Sequence, residues 1–541
     1  MKKILVILLF IISVFDVCSQ TTSLEQKLFY ALLCVDSQTR EEHLITGDYI
    51  NDQFLRGNYS EVLKSAKSYM RSRMQMVEQI YSVLSEQERE DLTILVEGDL
   101  IFHYILSAAY HTGDNSIMGD VYDYLLFVKQ LLLRTTKQRK NALPPNNVTW
   151  RDVQKRLGNG EAAIEFVRFN VFEGENVKVL DLYAAITMTW DSKSLMFIPV
   201  NTERNLTLWE LKDPSDLYAV DQYGAALGQI VWLDILYYLD KQEISTIYFA
   251  PCGVLNQIAI EALPYDEENT LSYHYNLTRL SSTRELVNKH NFHPNKSAAL
   301  FGDLFYRSSA ETMRQAQTRS AVGALPYSKQ EINGINQLMS GKQYHVNMLS
   351  QKQGTEASFK SLSGKSPSIL HLSTHGFVNR PIEGNAMQRS GLIMAYGARA
   401  WEGKTIPKDT EDGILTAAEI ATLDLSGTDI VVLSACNTAL GEVTTEGVWG
   451  LQRAFKQAGA QTIVMSLWAV DDEATAVFMQ YFYEALLKGR QTFAKAVSID
   501  EEIAEHIFDY PHSALATAQH RMRQHPKYSA PYYWAGFIVI D

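Results

Sequence analysis

The sequence predicts an all-α region followed by an α/β domain in which a mostly parallel sheet is flanked by helices, and three observations carry that prediction. Apolar residues recur at spacings of three and four from about Leu24 to Leu143. The stretch Asn141-Ala-Leu-Pro-Pro-Asn-Asn147 then breaks the pattern, with two prolines that cannot continue a helix. Beyond it, short β-branched runs alternate with helical stretches, the texture of strands joined by helical crossovers. With 541 residues, 46% of them hydrophobic, the chain exceeds what one core organises, so two or three domains are expected. The 30 Gly and 14 Pro are too few for a collagen or a disordered array. A net charge of −13 argues against a nucleic-acid binder that works by broad phosphate neutralisation.

The first element is an export signal. Lys2 and Lys3 precede an apolar run from Ile4 to Ile12, and Val17-Cys18-Ser19 offers a cleavage site before Gln20. The run is too short to span a bilayer, and Phe15-Asp16-Val17 matches poorly the small-residue box that precedes a lipidated cysteine, so signal cleavage over residues 1–19 is preferred to anchoring at Cys18. The mature chain then keeps Cys34, Cys252 and Cys436, an odd number in an exported protein, which asks for at least one free thiol.

Residues 20–147 form the second element. Tyr59 to Leu84 and Val121 to Leu133 are its clearest helices. Small and aromatic positions such as Gly57-Asn58-Tyr59 through Ala66 suit a degenerate tetratricopeptide remnant, while the lack of a repeat at 34 suits an ordinary bundle equally well.

From 148 to 541, strand-like runs occur at Ala162 to Phe169, Tyr183 to Thr189, Leu195 to Val200, Ile244 to Ala250, Ala298 to Phe301, Ile369 to Ser373, Ile430 to Ser434, Thr462 to Trp468 and Ala535 to Ile540. In parallel sheets, functional groups gather at the carboxyl ends of strands. Two such ends carry reactive residues: Ile369 to Ser373 leads into Thr374-His375-Gly376, and Ile430 to Ser434 leads into Ala435-Cys436-Asn437. A thiolate is a strong nucleophile, an imidazole takes its proton, and a glycine leaves its N–H open to an oxyanion. On residue types alone, Cys436 reads equally as a buried structural cysteine.

Ordered blocks in this region resemble the CHAT domain, a caspase-like, separase-related cysteine peptidase family often preceded by tetratricopeptide repeats. They include Gly160-Glu-Ala-Ala-Ile-Glu-Phe, Ala250-Pro-Cys-Gly-Val-Leu-Asn-Gln-Ile, Leu325-Pro-Tyr-Ser-Lys-Gln-Glu331, His371-Leu-Ser-Thr-His-Gly, Leu433-Ser-Ala-Cys-Asn-Thr-Ala, Ser466-Leu-Trp-Ala-Val-Asp-Asp-Glu-Ala-Thr and Tyr533-Trp-Ala-Gly-Phe. The resemblance implies a caspase-like α/β fold over 148–541. It also implies a catalytic dyad of His375 and Cys436, and an oxyanion site at the N–H groups of Gly376 and Cys436. No cofactor is implied. His371 shares a strand face with His375, but its flanking leucines favour a buried, hydrogen-bonded role, and a zinc reading fails for want of a third ligand. Where relatives more often carry an acidic residue this chain has Cys252, which raises a Cys34–Cys252 disulfide as one way of leaving Cys436 free.

For relatives that cut after a basic residue, Asp471 and Asp472 offer a carboxylate to the substrate, Asp472 being preferred, with Trp468 as a pocket wall. The competing reading makes these acids the N-terminal cap of the following helix. An acidic P1 preference would instead draw on Arg380, Arg389 and Arg399, within a connection from Asn379 to Glu411 expected to form a flexible flap. The expected partners are a protein or peptide substrate and a protein bound by the N-terminal helices, with no nucleic acid and no membrane span. A non-catalytic interaction scaffold on a vestigial peptidase fold is the alternative.

Overall fold

The computed structural model of the chain describes residues 35–83, 100–129, 148–173, 177–207, 218, 222–264, 271, 275–287, 295–306, 322–378, 385–405, 411–435, 442–444, 447–488 and 510–540. The proposed signal segment, Cys18 and Cys34 lie outside these residues.

The N-terminal region is helical. Helix α1 (Ser37–Leu55) starts at Asp36, whose carboxylate accepts from Thr39 N at 2.9 Å, the N-cap arrangement that satisfies an orphan donor. Gly57, at φ +74°, turns the chain into α2 (Tyr59–Val83). A π-helical turn, Ile101–Ile105, runs into α3 (Leu106–Thr112), and α4 (Met118–Val128) follows. Their apolar faces form one core with the first sheet.

That sheet has five strands, β1 (Glu161–Glu173), β2 (Val177–Thr189), β3 (Met196–Thr202), β4 (Thr246–Ala250) and β5 (Asn276–Arg279), in the order β3-β2-β1-β4-β5. Strands β1, β2 and β3 pair antiparallel, whereas β4 runs parallel to both β1 and β5. Side chains alternate across a strand. Ala163, Val167, Phe169 and Val171 of β1 face the helices, and Ala162, Ile164 and Phe166 face the opposite core. There α5 (Gln222–Asp240) places Trp232 edge-on to Phe166 and Phe249. With both faces covered over its centre, the sheet carries apolar residues on both faces there, as in Ala162-Ala-Ile of β1 and Tyr183-Ala-Ala-Ile of β2.

The second sheet has six strands. They are β6 (Ser297–Leu304), β7 (His345–Gln351), β8 (Ile369–Ser373), β12 (Ile430–Ser434), β15 (Thr462–Ser466) and β16 (Phe537–Ile540), in the order β16-β15-β12-β8-β6-β7. The strands between them in sequence are β9 (His375–Phe377), β10 (Gly391–Ile393) and β11 (Ile414–Thr416), which form an antiparallel sheet, and the hairpin β13 (Glu442–Thr444) and β14 (Gly447–Trp449). All neighbours in the six-stranded sheet are parallel except β15 and β16. Helices α6 (Ser328–Ser340), α7 (Asp472–Lys488) and α8 (Tyr510–Arg523) cover one face. On the other, Phe359 packs between Phe301 and Phe455.

The expected helical region followed by an α/β fold of helix-flanked sheets is borne out, with strands divided between two sheets rather than gathered in one. Strands β1 and β2, neighbours in sequence, pair antiparallel while β4 runs parallel to β1, so the first sheet is mixed. The connection expected as a flap is, in its described part, held by structure: β10 pairs with both β9 and β11, and Phe377 packs on Trp401. At its end Lys360 Nζ lies 2.6, 3.0 and 2.9 Å from Glu356, Glu411 and Glu419, so the cation among these carboxylates is the chain's own ammonium. Among the described residues, no helix is long and apolar enough to cross a membrane.

A buried polar network joins the helices to the first sheet. Lys129 Nζ, just past α4, lies 2.5 Å from Glu165 Oε2 of β1, with the two side chains 2% and 0% exposed. The ammonium also donates to the carbonyls of Ala250 and Pro251. Glu165 Oε1 accepts from Thr283 N and Oγ1, each at 2.7 Å, and Tyr122 OH meets Thr283 Oγ1 at 2.7 Å.

Candidate active site

The site is built where three neighbouring parallel strands end. Ser373, the last residue of β8, is the strand partner of Ser434, the last residue of β12. His375 stands two residues beyond the first and Cys436 two residues beyond the second in sequence. Both strands are wholly buried, which leaves the residues after them as the first able to meet a substrate. Ser466, at the end of β15, donates to the carbonyl of Ala435 at 2.8 Å and so fixes the residue before the cysteine. Cys436 itself lies outside the described residues.

His375 opens β9 opposite Ile393, and Gly376 lies opposite Leu392. The imidazole Nε2 is 2.8 Å from the carbonyl oxygen of Gly323. A carbonyl can only accept, so Nε2 carries the proton and Nδ1 is the basic nitrogen. Burial holds the His375 pKa below its ordinary value, opposed by the Gly323 hydrogen bond and the nearby Asp472 charge. The ring packs 5.0 Å from that of Tyr306, whose hydroxyl meets Thr374 Oγ1 at 2.9 Å.

The two acids have different partners. Asp471 Oδ1 accepts from Ala474 N at 2.9 Å and caps α7, as the structural reading expects. Asp472 turns away from its own helix: its Oδ2 accepts from Tyr327 N at 2.8 Å, in the segment that also holds His375. Burial pushes the Asp472 carboxyl above its ordinary value, against the Tyr327 hydrogen bond. Trp468 is 8% exposed, stacks on Tyr218 at 4.9 Å and donates to Tyr532 O, so the described structure uses it for packing beside the site. Arg399 is exposed and donates to Thr405 O, and Arg380 lies outside the described residues.

Beneath the site, His371 is fully buried and hydrogen-bonded, as its flanking leucines predict. Its Nδ1 is 3.1 Å from Tyr483 OH and its Nε2 3.0 Å from Glu331 Oε1. Glu331 also accepts from Ser373 Oγ at 2.8 Å. Sequence reasoning assigned no role to Gly323, Tyr327 or Glu331. The first two act through main-chain atoms, which leave no side-chain signature; for Glu331 the signals were its place at the end of the block Leu325-Pro-Tyr-Ser-Lys-Gln-Glu331 and in the first turn of an amphipathic helix. Cys252 is buried at 3% exposure, within the larger core.

Residues 221–541 match the family model described as the CHAT domain. The matched stretch starts after β3, although β1 hydrogen-bonds to β4 within it. Over 127 residues the chain is 35% identical to tetratricopeptide repeat protein 28 of Mus musculus and 34% identical to that of Homo sapiens, covering 24% of this chain in each case. It spans only 4% of the length of those relatives. Among solved structures, it is similar to a chain of the separase–securin complex of Saccharomyces cerevisiae (TM-score 0.43, 10% identity, 97% of this chain and 41% of that one). It is also similar to the RgpB pro- and mature domains of Porphyromonas gingivalis (TM-score 0.36, 10% identity, 62% of this chain and 76% of that one).

Proposed function

The chain belongs to the CHAT domain family, and from that premise we propose that it is an exported cysteine endopeptidase that works through a His375–Cys436 dyad and cleaves after a basic residue. The observation that carries the reading is the pairing of Ser373 with Ser434, which sets the segments bearing the two residues at adjacent strand ends. In this mechanism the Nδ1 of His375 takes the thiol proton, and the thiolate adds to the scissile carbonyl. The oxyanion is held by the N–H groups of Gly376 and Cys436. Collapse of the tetrahedral intermediate passes the proton from His375 to the leaving amine, and water then hydrolyses the thioester. Every step is done by side chains and main-chain amides, with no cofactor.

Asp472 is the proposed contact for a P1 arginine or lysine. Its carboxylate neighbours His375 and lacks the capping duty taken by Asp471, and an incoming guanidinium offers it a paired, hydrogen-bonded charge. The N-terminal helices are the proposed docking surface for a protein partner, and the leader at residues 1–19 the proposed route to the periplasm or exterior. The test is a peptide-library cleavage profile of wild type against Cys436→Ala and His375→Ala. Loss of cleavage in both variants, with the fold retained, supports the dyad; wild-type rates in either remove it and favour the scaffold alternative.

A further inference from the structure

We propose that Glu331 is a positioning residue for His375, acting through the end of β8; the inference rests on the peptidase reading above. Glu331 sits in the first turn of α6 and is buried at 3% exposure. Its carboxylate meets two residues of β8: Oε2 accepts from Ser373 Oγ at 2.8 Å, and Oε1 lies 3.0 Å from His371 Nε2, a close contact outside hydrogen-bond alignment. Side chains at alternate strand positions share a face, so one carboxylate grips two successive positions on the face of β8 that looks toward α6. The strand end is pinned again by Ser328, whose hydroxyl donates to Ser373 O at 3.2 Å and accepts from Asp303 N at 2.9 Å. Thr374 Oγ1 then donates to Ile393 O at 2.5 Å, and His375 meets Gly323 O. Ser373, Thr374 and His375 are thus each held by a different element, and α6 with the turn before it supplies the first and last of those holds.

A purely structural role does not account for this chemistry. Replacing a buried ion-paired or hydrogen-bonded set by apolar side chains of similar volume is often neutral or stabilising, so burial of a carboxylate and an imidazole in a sheet otherwise made of Ile, Leu and Val is poor value as a source of stability. What it gives is direction: the Ser373 hydrogen bond and the close His371 contact fix the strand end that leads into His375, and proton transfer is sensitive to such placement. The same helix start provides Tyr327 N to Asp472, so one end of α6 touches both the strand that leads to the base and the proposed specificity carboxylate.

Glu331→Gln keeps the size and one acceptor but cannot hold both partners with a charge. With an arginine-containing peptide it should lower kcat by about 10- to 100-fold while KM stays within about threefold. Alkylation of Cys436 by iodoacetamide should slow in the same variant, a readout that needs no peptide specificity. Tyr483→Phe is the control, since it removes the other partner of His371 at an equally buried site but leaves the Glu331–Ser373 contact in place; its kcat should stay within about threefold of wild type. Wild-type kcat and alkylation in Glu331→Gln, or equal losses in both variants, would overturn the proposal. If His375→Ala alkylates like wild type, the dyad itself is wrong and the inference falls with it.

Discussion

Lys129→Met tests whether the helices and the first sheet form one stability unit. The substitution removes an ammonium 2.5 Å from Glu165 and leaves that carboxylate, 0% exposed, without its counter-charge. Breaking a buried pair from one side costs about 3–5 kcal/mol. Glu165 retains Thr283 N and Oγ1 at 2.7 Å and Ser282 Oγ at 3.2 Å, which places the expected loss near the lower end, at about 3 kcal/mol. For a cooperative unit of 150–250 residues, this lowers the Tm by roughly 6–12 °C. Differential scanning calorimetry at fixed protein concentration measures it. Lys129→Met with Glu165→Gln removes the stranded charge and keeps an acceptor for Thr283, so the double variant should recover at least half of the loss. A single variant within about 1 °C of wild type, or a double variant no better than the single, would refute the reasoning.

Gly228→Ala in α5 would put a methyl 1.8 Å from the main-chain oxygen of Pro264, which cannot swing aside; despite the higher helix propensity of alanine, a net loss of about 2 kcal/mol or more in chemical denaturation is expected. Gly334→Ala in α6 meets only the flexible end of Gln480 at 2.7 Å and should be close to neutral in the same assay. Burial pushes the Asp123 carboxyl up to about 7, against its hydrogen bond from Trp150 N. A carboxyl raised in the folded state binds its proton there first, so this group's contribution is full below the unfolded value near 4 and is lost as pH rises through 7. Asp123→Asn should therefore be more stable than wild type in chemical denaturation at pH 8, by up to about 4 kcal/mol, with no gain at pH 4.

The sequence made the strands and crossovers legible because both sheets are buried on two faces, so β4, β12 and β15 appear as largely apolar runs and β8 as one interrupted by His371. The positions of His375 and Gly376 were legible for a second reason: residues that closely follow such a run stand at a strand end. The division into two sheets was not legible, because strand order depends on crossovers that carry no local pattern. Nor could the sequence decide between Asp471 and Asp472, since both are acidic and adjacent and only the backbone path shows which one caps α7. The ion pair between Lys129 and Glu165 joins residues 36 positions apart, with the single hint that Glu165 is a charge inside Ala162-Ala-Ile-Glu-Phe.

The alternation of side chains along β1 has a consequence for how that strand finds its place. Its two faces carry nearly interchangeable sets, Ala163, Val167 and Phe169 on one and Ala162, Ile164 and Phe166 on the other. On apolar content alone, a slip of one residue in register against β2 or β4 would exchange the faces at little penalty. Glu165 breaks that degeneracy: slipped by one, its carboxylate would face Trp232 and Phe249, while Lys129 would be left against an apolar side chain. Arg168, exposed on the other face, would likewise be turned toward the helices, so these two charged residues distinguish the correct alignment of a 13-residue strand from its face-exchanged competitor, a contribution to specificity separate from the pair's effect on Tm.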